Sequence, residues 1–88
     1  MIHNALSEMY TNAKLFYDVF RGLCRMRIAY AIRKQKEYRL NWTLGNPDER
    51  NKYMDKEKFW HHVQEYWQNE LKESIQWEKD YFAPDKPL

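Results

Sequence analysis

Asn46-Pro47-Asp48-Glu49 is the sharpest local signal in the chain, and its reading decides the fold. Asn46 offers a side-chain oxygen to orphan backbone N–H groups, and Pro47 stands at the first helical position, where its missing N–H is harmless. Glu49 is placed to complete a capping box, and both acids face the positive end of a new helix. The segment Leu40–Gly45 ends whatever precedes it, so residues 40–46 read as a turn. A second helix start at Asp55 makes residues 47–53 a short helix or the first turns of a longer one.

Upstream, Leu6, Tyr10, Ala13, Tyr17, Phe20, Cys24, Ile28, Ala31 and Tyr38 recur mostly at steps of three and four, the spacing of one helical face. A flanking row of Met9, Phe16, Leu23 and Tyr30 widens that face. Asn4 or Ser7 can cap the start. Gly22 is the one interior breaker: it either admits a neighbouring backbone or divides the segment, and a single helix from about residue 5 to 39 is expected. Downstream, Phe59, Val63, Tyr66/Trp67, Leu71, Ile75, Glu78 and Phe82 repeat the spacing, with Trp60, Trp77 and Tyr81 off the stripe. Pro84 and Pro87 close this helix, of about residues 55–82, and leave residues 83–88 as a mobile tail.

The expected architecture is a single all-α domain over residues 1–88. It is a small helical hairpin or bundle of two long antiparallel helices plus a short connecting helix. Eighty-eight residues bury little surface, and Ile, Leu, Val and Phe make up only about a fifth of them. Fifteen aromatics, 4 Trp, 7 Tyr and 4 Phe, supply the remaining apolar area. Both helices are apolar over more than one face, which a hairpin alone leaves uncovered. Self-association, most simply a two-fold homodimer, is the structural expectation.

A net charge of only +2 argues against a disordered chain. Charge is nevertheless uneven: residues 21–39 carry +6, and residues 59–88 carry −3. Arg21, Arg25, Lys36 and Arg39 fall within about 60° of one another on a helix, beside the apolar stripe. Such a row can bind phosphate, or an acidic protein surface. It can equally flank a buried stripe and pair with acids of the last helix, of which Glu57, Glu65, Glu70 and Glu73 come within range. No zinc-finger spacing, ribonucleoprotein signature or helix-turn-helix accompanies it.

Catalytic signals are weak. One cysteine excludes an internal disulfide and a Cys-cluster zinc site, and Cys24 on the apolar stripe reads as a small buried hydrophobe. Glu57, His61 and Glu65 share a strip of the last helix, but the order His-x-x-Glu and the lack of matching acids on the first helix argue for a solvated face. No metal, cofactor or catalytic set is expected, nor an enzyme. Absence of a basic leader and of a long apolar run leads to an expectation of a soluble, cytoplasmic chain without membrane contact.

Aromatic and arginine side chains dominate binding hot spots, because they bury large area and keep a polar handle. The expected function is therefore a non-catalytic protein–protein interaction module. It would be a small inhibitor or adaptor of the phage or mobile-element accessory type, acting on a protein partner. Trp60, Tyr66, Trp77, Tyr81, Arg21, Arg25, Lys36 and Arg39 are the candidate contact residues. The alternative is a helical nucleic-acid-binding protein using residues 21–39.

Overall fold

The protein is a two-helix antiparallel hairpin. A computed structural model describes the backbone of residues 2–82 and the side chains of residues 11–82. Helix α1 spans Ile2–Leu44, a 3-10 turn spans Pro47–Glu49, and helix α2 spans Arg50–Tyr81. Three expectations fall wholly or partly outside this description: the tail 83–88, the caps Asn4 and Ser7, and the side chains of Leu6, Met9 and Tyr10.

Asn46 does cap, but with a tighter turn than expected. Its Oδ1 accepts from the Asp48 N–H at 3.1 Å, while the Glu49 N–H donates to the Asn46 carbonyl at 3.0 Å. Glu49 therefore makes no capping box, and its side chain forms no cap hydrogen bond to α2. No short helix over 47–53 stands apart: α2 begins at Arg50 and runs through Asp55 unbroken. Nothing between Arg50 and Tyr81 removes a backbone donor or needs a turn, so the weaker start signal at Asp55 goes unused.

The first helix is also longer than its apolar stripe. It continues from residue 39 to Leu44, because residues 40–44 contain neither proline nor glycine and Trp42 gains a partner on α2. It stops where the Gly45 N–H donates to the Asn41 carbonyl at 2.8 Å. A β-carbon at Gly45 would collide with that same oxygen, so glycine is required there for room. Gly22, by contrast, lies in uninterrupted helix with open space around it, and no backbone approaches.

The helices meet along a seam of seven-residue rows. On α1 these are Tyr17, Cys24, Ala31 and Tyr38, beside Arg21, Ile28, Gln35 and Trp42, as the cross-helix contacts and burial show. This agrees with the stripe read from the sequence. On α2 they are Tyr53, Trp60, Trp67, Ser74 and Tyr81, beside Glu57, Gln64, Leu71 and Glu78. Here the stripe read from the sequence agrees in part: Trp67, Leu71 and Glu78 lie on the seam, and its other members diverge. Phe59 and Ile75, expected in the core, are exposed, whereas Trp60 is half-buried against Tyr30. Phe59 and Trp60 are adjacent and both large, so periodicity could not choose between them; the polar seam residues Glu57, Gln64 and Glu78 chose Trp60.

Cys24, Ala31 and Ser74 are the fully buried side chains among the described residues. The Ser74 hydroxyl is satisfied within its own helix, donating to the Leu71 carbonyl at 2.7 Å. Such a core is thin. The Cα extents are 67 × 27 × 12 Å and the radius of gyration is 20.2 Å, where a compact chain of this length would have about 12 Å. The molecule is one layer of two helices, and each helix keeps most of its circumference in solvent.

Candidate interaction face

Seven-residue rows also fix what lies beside the seam. On one flank of α1 stand Phe16, Leu23 and Tyr30, and next to them Val19 and Met26. On the matching flank of α2 stand Phe59, Val63, Tyr66 and Trp77. Two contacts show that these flanks share one side of the hairpin: the rings of Tyr30 and Phe59 each meet Trp60 at 5.4 Å. The face is exposed, with Val19 at 65%, Met26 at 71% and Phe59 at 60% of full accessibility. An open groove beside Tyr30 is lined by Leu23, Met26, Arg27, Ala29 and Arg33.

Phe16, Val19, Leu23, Met26 and Tyr30 alternate by three and four residues, the spacing of a coiled-coil seam. Helix α1 thus carries two such stripes, one filled by α2 and one open. Sequence reasoning found Phe16, Leu23 and Tyr30 but read them as widening the one apolar face. Val19, Met26 and Phe59 were missed as surface; the signal available was the second three–four alternation, offset from the first.

The expected contact residues divide among different surroundings. Tyr66, Trp77 and Tyr81 are exposed, Tyr66 and Trp77 on the apolar face. Tyr81 packs at the seam's end, its ring 6.3 Å from Tyr17 and 4.9 Å from Phe82. Trp60 serves both places, filling the seam and flooring the face. The indole of Trp67 lies under Arg27, whose guanidinium carbon is 5.9 Å from the ring centroid.

The basic row is split in the same way. Arg21 donates to both Glu78 and Asp18, the latter at 2.5 Å, and Lys14 approaches Glu78 at 3.6 Å. The Glu78 hydrogen bond, reinforced by both acids, holds the Arg21 guanidinium above its ordinary pKa against the opposing effect of burial. Arg39 donates to Glu57 at 2.7 Å, and Trp42 Nε1 donates to the other oxygen of that carboxylate at 2.8 Å. Arg33 and Lys34 lie over the Tyr30 ring at 5.4 and 5.5 Å. Lys34 also donates to Glu37 at 3.3 Å, which raises its pKa. Arg25 and Lys36 are exposed and hold no ion pair among the described residues.

Ion pairing with α2 therefore uses Glu57 and Glu78. Of the four acids expected to meet the basic row, only Glu57 does so. Glu65 instead lies beside its own helix's His61, a carboxylate oxygen 2.8 Å from Nε2, on an exposed stretch. Among the described residues no three His, Cys, Asp or Glu side chains converge as a metal set. Cys24 is a free, buried thiol whose pKa burial pushes up, with the nearby Glu70 charge acting in the same direction.

No described helix is long and apolar enough to cross a membrane. Compared with known protein families, curated proteins and solved structures, the chain matches none.

Proposed function

We propose that this chain is a non-catalytic protein–protein interaction module, and that its working surface is the apolar face built from Val19, Leu23, Met26, Tyr30, Phe59 and Tyr66. The observation that carries the reading is the open second heptad stripe on α1, continued across the seam by aromatics of α2. A contiguous exposed apolar patch of this kind marks an interaction site. Tyr30, Tyr66 and Trp77 add hydroxyl or indole groups to it, and Arg27 and Arg33 rim it, which suits a protein surface that is partly polar. Burial of the Cys24 thiol and the internal hydrogen bond of Ser74 Oγ support the non-catalytic part of the reading. Such a module acts as a small inhibitor or adaptor.

The alternative, nucleic-acid binding by residues 21–39, is supported by the +6 charge of that segment. It is weakened because Arg21 and Arg39 are held on Glu78 and Glu57. Arg25 and Lys36 are the residues left to contact phosphate from the expected row.

The test is affinity capture with the intact chain and with Met26→Lys/Tyr66→Ala, alongside Arg25→Ala/Lys36→Ala. Loss of captured protein only in the first variant, with helicity retained by circular dichroism, is expected. Loss only in the second, together with salt-sensitive binding of labelled DNA or RNA, would transfer the function to the basic row.

A further inference from the structure

Resting on that reading, we infer that the occupant of the apolar face is a second copy of the chain, docked about a two-fold axis so that the hairpins form an antiparallel four-helix bundle. Three observations converge on this occupant.

The first is area. The chain exposes 7509 Å², whereas a compact 11.0 kDa monomer exposes about 5,600 Å². An excess of roughly 1,900 Å² per chain is of the size that an obligate homodimer buries, and larger than a transient contact requires. The second is shape. A layer 12 Å thick, apolar on one side, becomes a two-layer domain with an enclosed core when it meets its own likeness. The three–four stripe on α1 is ready for knobs-into-holes packing.

The third is charge, which sets the orientation. By heptad position, the turn half of the face carries Arg33, Lys34, Lys52 and Lys56 against Glu37, and the other half carries Glu70, Glu73 and Asp80. Two copies laid parallel would set like charge on like. Two copies related by a two-fold axis running across the helices near the level of Tyr30 would stack α2 on the partner's α2 and bring Lys52 and Lys56 near Asp80, once on each side of the axis. A self-complementary polarity of this kind favours a second copy over an unrelated protein.

Sedimentation equilibrium of the intact chain tests this directly. A dimer is expected at about 100 μM, far above the micromolar Kd that even a modest interface reaches. Val19→Lys/Met26→Lys is expected to give a monomer, and Gln68→Lys, on the opposite side of the layer, to leave the dimer intact. The reversal Asp80→Lys is expected to loosen the dimer several-fold, and Lys56→Asp/Asp80→Lys to restore it.

A monomeric intact chain, a dimer indifferent to Val19→Lys/Met26→Lys, or failure of the double reversal to rescue would overturn the inference. Where the lysine variants lose helicity, the melting temperature of the intact chain decides: a rise with protein concentration supports the dimer, and none overturns it. A monomer that still captures another protein through Met26 and Tyr66 would overturn the dimer while leaving the interaction module standing. A monomer whose capture ignores those residues would remove both.

Discussion

Arg21 of α1 donates to Glu78 of α2, 57 positions further along the chain, and the pair lies mostly out of water, with side-chain exposures of 13% and 17%. This contact pins the end of the hairpin remote from the turn, as Glu57 with Arg39 and Trp42 pins the end beside it.

Removing one partner should therefore open that end. Glu78→Ala is expected to destabilise the chain by about 1–3 kcal/mol, since Arg21 is then left partly buried with only Asp18. Asp18→Ala, which removes an exposed contact on the same helix, should cost less than about 1 kcal/mol. Urea denaturation of the two variants checks the ranking, and equal losses would show that Glu78 is not the anchoring acid.

Gln35 and Gln64 form the polar centre of the seam. Gln35 Nε2 donates to Gln64 Oε1 at 2.7 Å and to the Ala31 carbonyl at 3.2 Å. A polar pair at the middle of a helix seam fixes register at some loss of stability. Gln35→Leu/Gln64→Leu should thus melt no lower than the parent while showing more than one helix register. Distances between spin labels on α1 and α2 would reveal this as a broadened distribution; a single sharp distance would assign register to the ion pairs alone.

The two glycines should respond oppositely to alanine. At Gly22 a methyl group meets open space, and Gly22→Ala should stabilise the helix by about 1 kcal/mol. At Gly45 the methyl would strike the Asn41 carbonyl, so Gly45→Ala should destabilise the turn. Thermal melts of the pair give the sign of each effect.

Cys24 links stability to alkaline pH. Burial raises its pKa in the folded chain, so folding holds the thiol proton more tightly than the unfolded chain does. The associated stability is complete below the unfolded thiol's ordinary range and is lost as pH rises through the folded value. Cys24→Ala should accordingly lose less stability than the parent between about pH 8 and 10, with the thiol range set by an unperturbed pKa near 8.5. Parallel pH–denaturation curves for the two chains would contradict this. Labelling of the native thiol should be slow and should accelerate with urea, because it waits on opening of the seam.

The hairpin was legible because its signals were redundant. Asn46 and Pro47 marked the turn, and the α1 stripe from Ala13 to Tyr38 agrees with the side chains that face α2. Local signals resolved less well where two choices were chemically alike. Residues 40–44 lack apolar repetition yet are good enough helix formers to continue α1 until Gly45 obstructs it. In α2 the seam is partly polar, so a rule that sends apolar residues inward selected Phe59 and Ile75 over Glu57 and Gln64. The face itself was half legible: its residues were noticed, but the surface status of Val19, Met26 and Phe59 depends on which flank α2 leaves uncovered. That is a property of packing between helices, invisible to the period of either one.

Trp42 closes the hairpin in a position with an optical consequence. Its indole N–H is bound to Glu57, and the Arg50 guanidinium carbon stands 5.1 Å from its ring, so both its neighbours are charged and both belong to α2. Parting of the helices beside the turn would replace that environment with water. A chain retaining Trp42 as its sole tryptophan would thus carry a fluorescent sensor at the hinge, able to time how the two strands of helix zip together.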